Sequence, residues 1–97
     1  MRVIAKRTLR EFYENPDYQD SKGSLEAWHE EAIKAVWESS HDIKEQYRSA
    51  SIINSETVVF NIAGNKYRLV VNIDYVRQAI YIKFVGTHKQ YDKIDLG

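Results

Sequence analysis

The stretch TVVFNIAGNKYRLVVNIDYVRQAIYIKFV, residues 57–85, decides the fold of this 97-residue chain. Apolar and polar side chains alternate along it with a period of two, which is typical of strands that bury one face. The pattern predicts three strands, at residues 57–62, 66–76 and 79–85, joined by tight turns at Gly64-Asn65 and Arg77-Gln78. The first turn suits a two-residue hairpin because Gly and Asn tolerate positive φ, whereas the second suits it poorly.

The two predicted turns assign the same face of the sheet to the apolar side chains. The pairs expected on this face are Ile62 with Tyr67, Phe60 with Leu69, Val58 with Val71, Tyr75 with Ile80, Ile73 with Ile82, and Val71 with Phe84. A slip of one residue would turn a whole strand over, so the agreement between the two turns predicts which face carries the core.

The N-terminal half has a helical period instead. Residues 1–5 are predicted to form a short strand, and Thr8-Leu9-Arg10-Glu11 matches a capping box at the start of a first helix that ends before Pro16. Residues 17–23 are predicted to be a loop, and Ser24 to cap a second helix. Its apolar stripe consists of Leu25, Trp28, Ala32, Ile33, Val36 and Trp37. Residues 43–56 are predicted to be irregular, with a short helical turn at 43–47.

These elements predict an α+β fold in a single domain, residues 1–97. Two N-terminal helices are expected to pack on a small antiparallel sheet of three to four strands. The chain has no cysteine, and neither a signal-peptide pattern nor a membrane-spanning apolar run is visible, so the cytoplasm is the expected compartment. His29, His41 and His88 are too widely separated for a metal site, and no cofactor is expected.

The charge is unevenly distributed although the formal net charge is zero, because the acidic residues are concentrated in the first half of the chain. Residues 1–47 contain ten Asp and Glu against seven Lys and Arg, whereas residues 48–97 contain four against seven. A phosphate-binding surface is therefore expected in the second half of the chain.

The predicted outer face of the sheet gathers polar side chains. The expected neighbours there are Asn61 with Arg68, Arg68 with Thr87, Asn72 with Lys83, and Asp74 with Tyr81, with Lys66 and Lys89 at one end. His88 and Tyr91 are expected to emerge near Arg68. These groups could handle a phosphate, but a polar outer face is also what any half-solvated antiparallel sheet shows.

Two motifs resemble the HigB-type toxins of the RelE superfamily. Val59-Phe60-Asn61-Ile62-Ala63-Gly64-Asn65-Lys66-Tyr67-Arg68-Leu69-Val70 resembles their central hairpin, and residues 80–94, which contain Thr87-His88-Lys89-Gln90-Tyr91-Asp92, resemble their C-terminal segment. The resemblance implies a RelE-like fold and a toxin that cleaves mRNA, generally on the translating ribosome. It also implies a HigA-type helix-turn-helix antitoxin as partner, with operator DNA bound only through that antitoxin.

The resemblance also suggests a metal-independent cleavage in which the RNA 2′-OH attacks the adjacent phosphate. His88 is expected to act as general base or general acid, because an imidazole titrates near neutral pH. Arg68 is expected to hold the phosphate, Lys83 to add charge, and Tyr91 to stack on a base or donate a proton. The expected RNA-binding residues are Lys66, Asn61, Asn72 and Lys89.

A different function remains open for the same fold. The chain could be a non-catalytic module that binds RNA or protein and blocks translation, or that regulates transcription with a partner. The two alternatives differ in one observable, since only an endoribonuclease creates new transcript ends.

Overall fold

The computed structural model describes residues 1–94. The helices are α1 (Lys6–Tyr13), a 3₁₀ helix (Pro16–Ser21), α2 (Lys22–Lys34), α3 (Ser40–Gln46) and α4 (His88–Asp92). The strands are β1 (Arg2–Ile4), β2 (Ser51–Ile52), β3 (Thr57–Ile62), β4 (Tyr67–Asp74) and β5 (Ala79–Thr87).

The five strands form one sheet in the order β1-β5-β4-β3-β2. All neighbouring pairs are antiparallel except β1 with β5, which run parallel. The predicted α+β class with N-terminal helices on an antiparallel sheet is confirmed. The sheet is larger than the predicted three to four strands because β2, a two-residue edge strand, falls in a segment expected to be irregular.

The pairing of β3 with β4 follows the predicted register. Ile62 pairs with Tyr67, Phe60 with Leu69 and Val58 with Val71. Strand β3 also has the predicted bounds. The turn differs in detail, because the positive φ values fall on Ala63 (54°) and Gly64 (68°), one position earlier than Gly64-Asn65.

The predicted register of β4 with β5 is wrong. The turn contains four residues, 75–78, and the closing pair is Asp74 with Ala79. Asp74 accepts a hydrogen bond from the backbone N–H of Arg77 at 2.9 Å, and Gln78 takes a positive φ of 55°. A two-residue hairpin turn would need positive φ at Arg77, and in its type I′ form at Gln78 as well, which long side chains disfavour, so the chain uses the longer turn.

A β-bulge on β5 changes which face its side chains occupy. Val71 pairs with Ile82 and Val70 with Phe84, so Lys83 is the extra residue. Ile82 keeps its predicted face, whereas Phe84 lies on the outer face instead of the core face, because one inserted residue reverses the alternation. Asn72 pairs with Tyr81 rather than Lys83 because the longer turn shifts the register by two residues, and Arg68 pairs with Gly86 rather than Thr87 because the bulge then reverses one residue of that shift.

The hydrophobic core lies between the helices and one face of the sheet. Trp28 of α2, Leu9 of α1 and Phe60 of β3 are each at most 2% exposed within one cluster. The Trp28 and Phe60 rings meet at 5.4 Å in an edge contact. Large aromatic side chains bury the most area, so this contact anchors the helices on the sheet.

The helix boundaries differ from the sequence predictions. Helix α1 begins at Lys6 with Ala5 as its N-cap, so Thr8 does not cap it. Helix α2 begins at Lys22 rather than after Ser24 and ends at Lys34. Val36 and Trp37 therefore lie beyond the helix, where Trp37 is buried but Val36 is 70% exposed. The short helix predicted near residues 43–47 is present as α3.

No helix within residues 1–94 is long and apolar enough to cross a membrane.

The positive φ of Ala63 makes a testable prediction about the β3–β4 turn. A left-handed conformation costs a non-glycine residue roughly 1–2 kcal/mol, of which the extra chain entropy of glycine offsets part. We expect Ala63→Gly to raise the free energy of unfolding in urea by about 0.5 kcal/mol. The control is Ala27→Gly in the exposed face of α2, which should lower it by about 1 kcal/mol. A loss of equal size at both positions would contradict the assigned conformation.

Candidate functional site

Arg68 lies almost buried on the outer face of β4, with 8% of its surface exposed. Its Nη1 donates to the backbone oxygens of Asn65 and Tyr67, both at 3.1 Å, and its Nη2 donates to Oδ1 of Asn65 at 3.0 Å. All three acceptors are neutral, and within residues 1–94 no carboxylate lies within 4.0 Å of this guanidinium. A nearly buried cation without an anionic partner is costly, so Arg68 is suited to binding an anion.

Helix α4 is held at the end of β5 by a capping box. Thr87 Oγ1 accepts from the backbone N–H of Gln90 at 3.1 Å, and Gln90 Oε1 accepts from the backbone N–H of Thr87 at 2.9 Å. The backbone N–H of His88 donates to the Lys66 oxygen at 3.2 Å, across from the start of β4. These contacts bring the backbones of His88 and Arg68 to the same end of the sheet.

His88 is oriented by a carboxylate one helical turn away. Its Nδ1 lies 3.0 Å from Oδ2 of Asp92, and about half of each side chain is exposed. The carboxylate accepts a hydrogen bond only from a protonated Nδ1, so the lone pair of a neutral ring is on Nε2. Nε2 is thus the ring atom left to exchange a proton with a substrate.

Tyr91 follows His88 by three residues on α4 and is half-buried. Residues three apart on a helix project from the same side of it, so Tyr91 and His88 occupy neighbouring positions on α4. Lys89 is exposed on the same helix, and within residues 1–94 no carboxylate lies within 4.0 Å of its ammonium group.

Lys66 is paired with an acidic residue that sequence reasoning did not single out. Its ammonium group and the hydroxyl of Tyr67 both donate to the carboxylate of Asp20, on the 3₁₀ helix. The hydrogen bonds from Lys66 and Tyr67 lower the pKa of Asp20. The hydrogen bond to Asp20, together with burial, raises the pKa of Tyr67 to about 12.

A cavity of about 370 Å³ opens beside this group. We call it the Tyr18 cavity; its principal lining residues are Asp17, Tyr18, Lys66, Tyr67, His88 and Lys89. Arg68 does not line it. His88, Lys66 and Lys89 thus share one surface, while Arg68 and its strand neighbour Asn61 lie on the outer face at the same end of the sheet.

Lys83 and Asn72 lie further along the sheet. Both line another open cavity, of about 540 Å³, together with Tyr81 near the β4–β5 turn. Lys83 precedes Gly86, the strand partner of Arg68, by three residues, which corresponds to about 10 Å along a strand. The amide of Asn72 also accepts a hydrogen bond from Thr57 Oγ1 at 3.0 Å. The predicted site residues therefore form two groups on the sheet.

Asp20 and Asp92 are the side chains that the sequence interpretation missed. Asp92 follows His88 by four residues, a spacing that would have indicated the pair had residues 88–92 been predicted as a helix. The contact of Asp20 with Lys66 spans 46 residues, so no local pattern indicates it. Within residues 1–94 no group of three or more His, Asp and Glu side chains is arranged to hold a metal ion.

Comparison with known proteins gives the family. The profile of HigB toxins, described as the RelE-like toxic component of a toxin–antitoxin system, matches residues 21–94. The chain belongs to the HigB toxin family. It is 29% identical over 94 residues to the mRNA interferase toxin HigB of Escherichia coli strain K12, covering 95% of this chain and 88% of the relative. The HigB mRNA interferases of E. coli O157:H7 and Shigella flexneri match with the same identity and coverage.

Membership of the HigB family confirms the resemblance seen in the two sequence motifs. The matched region contains the hairpin of β3 and β4, strand β5 and helix α4. It therefore includes Arg68, His88, Tyr91 and Lys83, whose individual roles remain predictions. As a HigB-family toxin, the chain has an antitoxin as its partner.

Gly86 allows α4 to dock against β5, which gives a second prediction. A Cβ atom at this position would lie 2.6 Å from Gln90 Oε1 and 2.6 Å from Phe84 Cζ. We expect Gly86→Ala to displace the Gln90 side chain, weaken the capping box and destabilise the protein by about 1 kcal/mol or more. NMR amide shifts of residues 87–92 and urea unfolding would report both effects. Gly23→Ala in α2, where a Cβ meets nothing within 4 Å, should stabilise the protein instead.

The contact between Asp20 and Tyr67 makes stability depend on pH at both ends of the scale. The pKa of Tyr67 rises from 10.0 in the unfolded chain to about 12 in the folded protein, so its contribution is complete below pH 10 and is lost as pH rises towards 12. The pKa of Asp20 is lowered from 3.8, so its contribution is lost as pH falls below that value.

We expect Tyr67→Phe to reduce the loss of unfolding free energy at alkaline pH. Asp20→Asn should reduce the losses at both acid and alkaline pH. Urea unfolding across pH 3 to 12 measures these slopes. Parallel curves for the wild type and both variants would show that the contact does not contribute.

Proposed function

We propose that this HigB-family protein is a metal-independent endoribonuclease that cleaves mRNA, acting in the cytoplasm on the translating ribosome. The chain would act as one toxin domain spanning residues 1–97. The observation that carries the proposal is Arg68, a nearly buried guanidinium with only neutral acceptors among residues 1–94, at the end of the sheet where α4 presents His88. The names of the relatives, all mRNA interferases, support the same reaction.

The chemistry needs no nucleophile from the protein. The ribose 2′-oxygen attacks the phosphorus while its proton passes to a base, and the bond from phosphorus to the 5′-oxygen breaks as an acid supplies a proton. The products are a 2′,3′-cyclic phosphate and a 5′-hydroxyl. DNA lacks the 2′-OH and is not a substrate.

His88 exchanges one of these protons through Nε2, with Asp92 as a positioning residue that holds the ring through Nδ1. Arg68 stabilises the charge that develops on the phosphate oxygens. Tyr91, next to His88, donates the second proton or stacks on a base.

The more distant cations guide the RNA strand. Lys83 on the bulge adds positive charge along the outer face, about 10 Å along β5 from Gly86, the strand partner of Arg68. Asn61 and Asn72 offer amides on that face, and Lys66 and Lys89 flank His88. Contacts between lysines and phosphates position an RNA strand without reading its sequence.

We further propose a HigA-type helix-turn-helix protein as the antitoxin. Operator DNA would then be bound through the antitoxin alone. The formal net charge of this chain is zero, and a protein without net positive charge has little general attraction for DNA. This supports binding of the operator through the antitoxin.

The proposal is tested by replacing His88 and following RNA cleavage. Positioned acid–base groups contribute about 10²–10⁴-fold, so His88→Ala should reduce the cleavage rate by about that factor without unfolding the protein. Asp92→Asn should reduce it less, because the amide no longer requires the ring proton to be on Nδ1 but leaves the imidazole in place. The matched control is His41→Ala, since His41 pairs with Glu45 at 2.9 Å on α3 with the same spacing.

The assay uses mRNA-programmed ribosomes in a magnesium buffer and, separately, free mRNA in the presence of EDTA, with 5′ ends sequenced in both. New ends carrying a 5′-hydroxyl are expected, and a 2′-deoxy nucleotide at the cleaved position should abolish them. Growth arrest when the protein is expressed in cells, without new transcript ends, would instead identify a non-catalytic module that blocks translation. Wild-type cleavage by the His88 variant would remove His88 from the mechanism.

A further inference from the structure

The Tyr18 cavity contains groups that the proposed cleavage chemistry does not use. It is bounded by the 3₁₀ helix, the start of β4 and α4, and its volume of about 370 Å³ lies in the range of small-ligand sites. His88 lies in its wall, so any ligand in this cavity would be adjacent to the imidazole.

Tyr18 is fixed in place but remains partly exposed. Its ring stacks on Phe12 at 4.5 Å with an angle of 3° between the planes, and meets Tyr67 edge-on at 6.1 Å. Its hydroxyl accepts a hydrogen bond from Gln90 Nε2 at 3.3 Å. An aromatic ring held in this way loses little conformational entropy when a nucleobase packs against it.

The charges in the wall are mixed rather than uniformly positive. Lys66 and Lys89 can bind phosphate oxygens, whereas the carboxylate of Asp17 would repel them. A carboxylate accepts hydrogen bonds from ribose hydroxyls and from the exocyclic amines of bases. This combination matches a nucleotide with one phosphate better than it matches free phosphate or a polyphosphate chain.

We propose that the Tyr18 cavity binds the nucleotide next to the scissile phosphate, with Tyr18 contacting the base and Lys66 and Lys89 contacting a phosphate. This assignment rests on the proposed endoribonuclease function, because it places the cleaved bond beside His88. It makes Tyr18 and Lys89 determinants of how tightly one nucleotide of the substrate is held.

Asp20 competes with the substrate in this arrangement. Its carboxylate now holds the ammonium group of Lys66, which a phosphate would have to share or take over. The hydroxyl of Tyr67 keeps its contact with Asp20 during the exchange. Replacing Asp20 by asparagine removes the competing charge and should therefore strengthen nucleotide binding, whereas removing Tyr18 or Lys89 should weaken it.

The experiment titrates the folded protein with adenosine 5′-monophosphate, ribose 5-phosphate and inorganic phosphate at constant ionic strength, following NMR amide shifts of residues 66–67 and 87–89. Adenosine monophosphate should bind about tenfold more tightly than ribose 5-phosphate, the difference expected for one base on an aromatic ring. Tyr18→Ala should remove that difference and Tyr18→Phe should keep it. Thermal unfolding checks that Tyr18→Ala is folded.

The charged residues supply variants that do not depend on packing. Lys89→Gln should weaken binding of adenosine monophosphate several-fold, whereas Lys93→Gln, the same change on the neighbouring exposed lysine outside the cavity wall, should not. Asp20→Asn should strengthen it. Equal binding of the three ligands, or equal effects of Lys89→Gln and Lys93→Gln, would overturn the assignment.

Nucleotide binding and RNA cleavage, measured on the same variants, test the cavity assignment and the endoribonuclease separately. RNA cleavage at the wild-type rate by Tyr18→Ala, with no binding of adenosine monophosphate to the wild-type protein, would overturn the cavity assignment and leave the endoribonuclease standing. Binding of adenosine monophosphate with the expected responses, but no cleavage of any RNA, would support the nucleotide site and overturn the endoribonuclease.

Discussion

Strand β4 and its two antiparallel neighbours form the constraint on which the rest of the structure depends. Leu69 and Val71 are completely buried under the helices, and Val70 is only 2% exposed on the opposite face. Since side chains alternate along a strand, this pairing also fixes the sides taken by Tyr67 and Arg68. The phenol turns towards the 3₁₀ helix and Asp20, whereas the guanidinium turns to the outer face and the β3–β4 turn.

Local departures from regular pairing then place helix α4. The extra residue Lys83 in β5 moves Phe84 to the outer face, and Gly86 leaves room for Phe84 and Gln90 to approach the backbone. The capping box of Thr87 and Gln90 starts α4 directly after the strand. His88 is thereby attached to the sheet at the junction of β5 and α4 rather than on a loop, which suits the role proposed for it.

Lys66 and Arg68, neighbours at this end of the sheet, differ in the groups that surround them. Lys66 already has a carboxylate partner in Asp20, and binding a phosphate there requires an exchange of partners. Arg68 has only neutral acceptors within residues 1–94, and its planar donors are preorganised by the turn. A guanidinium in this state gains more from an incoming phosphate than an ammonium that is already paired, which supports the phosphate-binding role proposed for Arg68.

The sequence by itself determined the α+β class, the bounds of β3 and its register with β4, because period-two alternation and a glycine turn are local signals. The two motifs also indicated the HigB family. Tertiary structure alone decided the bulge at Lys83, the side taken by Phe84, and the pairing of Asp20 with Lys66 across 46 residues. These features depend on how distant segments pack, and neither composition nor periodicity records a contact between residues so far apart in the chain.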